Sequence, residues 1–188
     1  MGVSTPIPQL LRKDFMRKIT KKDWDTAYEG NIVYSPVSEL LLDELNLKGS
    51  ILDVGCGRGQ LLEQLKNRGL TVRGIDLSDY SADMVGDFLK YKLGKYDVII
   101  TNKVLAFNPI EAFLKRVKDH LKPGGTFVLI TPIRYSEYAD KYDEHYESIS
   151  VDYDELKIAL RNVFDEVELV HISYFNYYGA EAVFSMRV

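Results

Sequence analysis

The sequence lacks most of the devices that staple small proteins or carry them out of the cytosol. It has one cysteine in 188 residues, Cys56, so no disulfide can close within the chain. A reducing compartment fits that usage. No apolar run approaches the ~20 residues of a membrane span, and a membrane is not expected as a partner. The opening, MGVSTPIPQLLRKDF, has no apolar core of a signal peptide. Gly2 follows Met1, but Pro6 stands where a myristoylation signal wants Ser or Thr. Cytoplasmic residence is therefore the expectation. Positive charge is not in excess: the net charge of −4 argues against a protein that coats nucleic acid. Internal repeats and low-complexity segments are also missing.

What is present suits one globular domain. Apolar residues make up 46% and charged residues 28%. A domain of this length buries roughly 70% of its unfolded surface, enough for a core without metal or disulfide. Residues 1–36 stand apart as an N-terminal extension. They hold Pro6 and Pro8, then the basic residues Arg12, Lys13, Arg17, Lys18, Lys21 and Lys22. The basic stretch is read either as a solvated helix face or as a lid over a ligand. Residues 37–188 are expected to form the domain proper.

Within that domain, short β-branched runs alternate with amphipathic helical stretches. Residues 51–54, 71–75, 96–101 and 126–131 read as strands, with a short one within 84–88. The run 96–101, YDVIIT, is apolar on both faces, as a central parallel strand requires. Helices are expected over 37–45, from 60 to a stop at Gly69, from 109 to 121, and over 154–164. Residues 166–173 and 182–188 close the chain as two strands joined by a loop, hence antiparallel. Alternation of this kind makes an α/β fold with a parallel sheet and right-handed crossovers.

The strongest local signal is ILDVGCGRGQLLEQL, residues 51–65. A strand ends in Asp53, then Gly55, Gly57 and Gly59 alternate, and a helix begins. Glycine there permits positive φ and close approach of a ligand to the backbone. The turn is expected to present free amides at a helix N-terminus. The spacing fails the dinucleotide pattern G-x-G-x-x-G in both frames, and the Gly-Lys-Ser/Thr of a P-loop is absent. Asp53 sits badly beside a pyrophosphate and well beside an ammonium. Asp76 ends the second strand, in RGIDLS, where a carboxylate can accept hydrogen bonds from two ribose hydroxyls. S-adenosylmethionine offers an ammonium, a ribose and no phosphate.

With those residues in view, segment 51–131 resembles the class I S-adenosylmethionine-dependent methyltransferases of the small-molecule group. It carries LDVGCGRG, GIDLS, the Gly86-Asp87 pair, YDVIITNKVL and LKPGGTFVLITP, in order. The resemblance implies a Rossmann-like three-layer αβα sandwich. Its sheet has seven strands, mostly parallel, in the order 3-2-1-4-5-7-6 with strand 7 antiparallel. It implies S-adenosylmethionine as cofactor, S-adenosylhomocysteine as product, and no metal. It places Asp53 and the backbone of Gly55, Cys56, Gly57 and Gly59 at the methionine part, and Asp76 with Leu77 at the ribose. Asp87 is similar to the residue that takes the adenine amino group, and Phe88 is a candidate to pack on the adenine ring. Alternatives are a turn role for Asp87 and plain core for Phe88. Asn102 and Lys103 follow the fourth strand, where such enzymes line the reactive end of the pocket; a solvated Lys103 is the alternative. Cys56 reads as a small turn residue rather than a nucleophile. One departure stands out: only ten residues separate Asp76 from Asp87, too few for the usual full helix.

For the acceptor side, His145 is the candidate general base, in the polar segment after the fifth strand, where related sequences often carry a histidine. A surface histidine is the alternative. His120 reads as structural at a helix end, and His171 as packing in a strand. Tyr135, Tyr138, Tyr142 and Tyr146 are spaced 3, 4 and 4 apart and on a helix would share one face. They are either the core face of a cap helix or an aromatic acceptor pocket. The expected activity is methyl transfer to an oxygen or nitrogen, less readily a carbon, of a small molecule, by a monomer or homodimer. The rivals are a macromolecular acceptor gripped by the basic N-terminal stretch, and a non-catalytic cofactor-binding module.

Overall fold

The structure, a computed structural model, describes residues 20–29, 36–142, 147, 149–174 and 179–188. Eight strands among them make one sheet: β1 (Ser50–Val54), β2 (Thr71–Asp76), β3 (Met84–Val85), β4 (Tyr96–Asn102), β5 (Leu121–Arg134), β6 (Val151–Asp152), β7 (Glu166–Tyr174) and β8 (Gly179–Arg187). The order is β3-β2-β1-β4-β5-β8-β7, with β6 paired to the end of β5. Apart from that two-residue addition, it is the expected order. β1 to β5 pair in parallel, and β8 runs antiparallel to both β5 and β7.

Helices cover both faces. α2 (Glu39–Glu44) and α3 (Gln60–Asn67) pack Leu41, Leu42, Leu61, Leu62 and Leu65 against Ile51, Val98, Ile100, Val128 and Val183. α4 (Ile110–His120) and α5 (Tyr153–Val163) bury Phe113, Leu114, Leu156 and Leu160 against Leu52, Ile99, Phe127 and Phe184 on the other face. Burying each such side chain contributes about 1.5–3 kcal/mol. The caps follow from sequence: Pro109 precedes α4, where an amide donor has no use, and Asp152 accepts from the Asp154 and Glu155 amides at 3.0 Å to open α5.

Two elements differ from expectation. No helix joins β2 to β3. Residues 77–83 bridge them in bends, with the Gly74 amide donating to Asp83 Oδ2 at 2.7 Å and the Gly86 amide to the Asp76 carbonyl at 2.8 Å. The short spacing from Asp76 to Asp87 foretold this missing layer. The tyrosine segment also makes no α-helix where it is described. Residues Ser136–Lys141 form 3-10 turns with a break at Tyr138 (φ −115°, ψ 20°), and Tyr142 is extended. The 3, 4, 4 spacing therefore does not align Tyr135, Tyr138 and Tyr142 on one face. Side-chain ties hold the segment instead: the Tyr135 amide donates to the Tyr142 hydroxyl at 2.8 Å, and the Ser136 hydroxyl to Asp152 Oδ2 at 2.5 Å.

Candidate active site

The parallel strands bring their carboxyl ends to one rim, the usual ligand edge of an open α/β sheet. Side chains alternate along each strand, so Asp53 shares the face of Ile51, Asp76 that of Val72, Asn102 that of Ile100, and Glu181 that of Val183. All four polar residues therefore stand on the α2–α3 face of the sheet, at its carboxyl rim. β8 joins them because it runs backwards, so that its first residues reach the edge where the others end.

Asp53 is 1% exposed, and its Oδ2 has no hydrogen-bond partner among the described residues. Burial, with the Asp76 charge beside it, pushes its carboxyl up to about 7. Asp76 Oδ2 accepts from the Gly57 amide at 2.9 Å and Oδ1 from the Ser78 amide at 2.8 Å. Burial raises its carboxyl as well, with these donors working against the rise. Two buried carboxylates with no ion-pair partner among the described residues are costly to keep, and a cationic ligand would remove the cost.

The glycine turn is shaped for close packing. Gly55 (φ +72°) lies under the Val104 side chain, where a Cβ would stand 2.3 Å from a methyl carbon. The amides of the turn itself are mostly taken, while α3 opens at Gly59 without a side-chain cap. The Gly55 and Cys56 amides donate to the Ile75 carbonyl, that of Gly57 to Asp76, and that of Gly59 to the Cys56 carbonyl. Three of these donors tie the turn to β2, beside the two buried carboxylates. This fits a phosphate-free ligand with a positive end. Cys56 is buried with its Sγ over Gly74, and burial pushes its thiol up, which makes it a packing residue.

Leu77 is half-buried directly beyond β2. Asp87 Oδ1 accepts from the Leu89 amide at 3.0 Å and caps a turn. Phe88 is buried against Phe113 at 5.1 Å, its ring committed to the core beneath α4. Asn102 Oδ1 is buried without a hydrogen-bond partner among the described residues. Lys103 takes φ +61° and sends its ammonium to 3.3 Å from Glu181 Oε2. Tyr135 packs on Tyr153 at 5.3 Å, while Tyr138 is 37% exposed. His145 and Tyr146 lie outside the described residues. His120 Nδ1 is 3.0 Å from the Gly94 carbonyl at the end of α4, as a structural residue would be. His171 is exposed beside the Ser173 hydroxyl at 2.7 Å, so it does not pack in the core as expected.

Sequence reasoning missed Glu181 because it started the last strand at Ala182. The signal was there: one acid in GAEAVFSMR. It also did not place α1 (Lys21–Glu29) against the rim. Thr20 caps this helix reciprocally with Asp23. Asp25 Oδ1 accepts from the buried Ser78 hydroxyl at 2.7 Å, and Trp24 meets Phe107 edge-on at 5.1 Å. The helix thus touches the exits of both β2 and β4. No helix among the described residues is long and apolar enough to cross a membrane.

This fold and this rim, two buried acids at neighbouring strand tips above a closed glycine turn, define a class I S-adenosylmethionine-dependent methyltransferase domain. The chain belongs to the methyltransferase-domain family, whose model matches residues 31–177. It is 25% identical over 140 residues to malonyl-[acyl-carrier protein] O-methyltransferase of Priestia megaterium, covering 65% of this chain and 51% of that protein. It is 32% identical over 96 residues to the ubiquinone biosynthesis O-methyltransferase of Paramagnetospirillum magneticum, covering 42% and 39%. The chain spans about half the length of the curated relatives it matches. Among solved structures it resembles geranyl diphosphate C-methyltransferase from Streptomyces coelicolor A3(2), with a TM-score of 0.65 at 17% identity over 97% of this chain and 88% of that one.

Proposed function

We propose that this protein transfers a methyl group from S-adenosylmethionine to an oxygen or nitrogen of a small-molecule acceptor. One observation carries the reading: Asp53, buried, short of a hydrogen bond and beside a second buried acid, faces the rim where a positive group would meet it. The donor supplies a methyl already activated on a sulfonium, so alignment of the acceptor carries much of the rate. Asp53 holds the donor's ammonium. Asp76 takes ribose hydroxyls on the lone pairs its two amide contacts leave open. Leu77 and Asp87 flank the base. Asn102, at the tip of β4, faces the reacting end.

α1 serves as a lid over the donor, hinged by the Asp25–Ser78 and Trp24–Phe107 contacts. Titration with S-adenosylhomocysteine, followed by a screen of small acceptors with labelled donor, tests the reading. Saturable binding with one site and label in a small product is expected. Absence of any heat with donor or product sinks it. Trp24→Ala is expected to speed S-adenosylhomocysteine release roughly two- to tenfold, the worth of one aromatic contact. An unchanged release rate removes the lid.

A further inference from the structure

Resting on that reading, we infer that Glu181, braced by Lys103, selects the acceptor. The pair takes a group that donates a hydrogen bond, a hydroxyl or an amine, in preference to a carboxylate. Glu181 stands on the rim face that carries Asp53, Asp76 and Asn102, two strands beyond β4. Strands lie about 4.8 Å apart, so it occupies the side of the rim away from the donor's acids. It is opposite Pro132 on one side and Ser173 on the other. Pro132 lacks the amide donor that a carboxylate would otherwise find nearby.

Glu181 Oε2 is buried and makes no hydrogen bond among the described residues, although the Lys103 ammonium lies 3.3 Å away. The pair has charge contact without hydrogen-bond geometry. That leaves the carboxylate with open lone pairs and a compensated charge. Such a group binds an O–H or N–H donor, whereas an incoming carboxylate brings no hydrogen to its lone pairs.

Two further observations separate this pair from an ordinary salt bridge. Lys103 pays for its position with a left-handed backbone, which a non-glycine residue keeps only where its surroundings enforce it. Asn102, its neighbour, has a second buried oxygen without a hydrogen bond on the same face. Both side chains of the pair are about one-fifth exposed, 21% for Lys103 and 23% for Glu181. They are therefore open to a ligand from the rim yet shielded enough for charge to matter.

The test uses three probes of one size, phenol, benzylamine and benzoate, titrated into the protein saturated with S-adenosylhomocysteine and followed by protein NMR shifts. The wild type is expected to take phenol or benzylamine ahead of benzoate. Glu181→Gln is expected to weaken the preferred probe about tenfold and to raise benzoate, because the carboxylate that disfavours it is gone. Glu181→Asp keeps the wild-type order, which separates a charge effect from a folding defect. S-adenosylhomocysteine affinity stays unchanged in both variants. A wild type that prefers benzoate or takes none of the three overturns the inference, and so does a Glu181→Gln protein with the order intact. A wild type that fails to bind S-adenosylhomocysteine defeats the proposed function itself, and the inference falls with it.

Discussion

Asp53 and Asp97 sit on adjacent strands of one sheet, at opposite ends, and their carboxyls are driven in opposite directions. Asp97, at the amino edge, accepts from the Ser50 amide at 2.7 Å, the Ser50 hydroxyl at 2.6 Å and Lys122 at 2.7 Å. The Lys122 ammonium and the Ser50 donors hold it well below the usual carboxylate range. Asp53, at the carboxyl edge, is buried with one oxygen unmet and rises to about 7. Two glycines also differ: a side chain at Gly55 collides with Val104, whereas one at Gly124 on the amino edge meets nothing within 4 Å, although one at Gly49 on that edge would stand 2.5 Å from Asp97. At the amino edge the carboxylate is answered by its own neighbours. At the carboxyl edge a buried carboxylate is left short of a partner among the described residues, as a binding edge requires.

The largest effect that sharpens this contrast is steric. Gly55→Ala is expected to cost about 2–4 kcal/mol in urea unfolding, from left-handed strain plus overpacking, against about 1 kcal/mol for Gly124→Ala. Val104→Ala should recover the overpacking part alone. Equal losses at the two glycines would erase the distinction.

Next comes charge. Asp53→Asn is expected to weaken S-adenosylmethionine binding by about 10–100-fold, the worth of a charged hydrogen bond. The same change should raise the Tm at pH 8 and leave it unaltered at pH 4. A carboxyl raised in the folded state holds its proton between about 4 and 7 while the unfolded chain releases it, so stability falls through that window as pH rises. A lower Tm at pH 8 breaks the argument.

Binding itself should then depend on pH. A cation favours ionised Asp53, so the donor expels a proton near neutrality and its affinity increases from pH 6 to 7.5. Calorimetry in two buffers of different ionisation heat reads that proton directly, and identical heats would contradict it. The smallest effect belongs to the amino edge. Asp97→Asn should lower the Tm at pH 7, lose that penalty as pH falls below the ordinary carboxylate range, and leave donor affinity within about twofold.

Most of the sheet was legible beforehand because its signals are local. Runs such as YDVIIT, the glycine turn and Pro123-Gly124-Gly125 report their own backbone. Asp53 and Asp76 followed from strand ends. What stayed hidden depends on contacts distant in sequence. The glycine-turn amides looked free because nothing in LDVGCGRG shows that Ile75 and Asp76 will claim them. The four tyrosines suggested a helix, but the hydroxyl of Tyr142 bonds back to the Tyr135 amide and Ser136 to Asp152, and such ties override spacing. Phe88 could serve core or ligand on sequence alone, and its contact with Phe113 was not visible there. Glu181 was lost to a boundary error of three residues, the least dependable part of any strand assignment.

The reversed direction of β8 has a consequence for how such a protein can change. Donor-side groups come from places where the chain leaves the sheet, and each is tied to the crossover that follows. Glu181 comes from the place where the chain returns. Residues around that return can be exchanged without redrawing a single crossover, so the half that chooses what is modified can diversify while the half that grips the modifying reagent stays fixed.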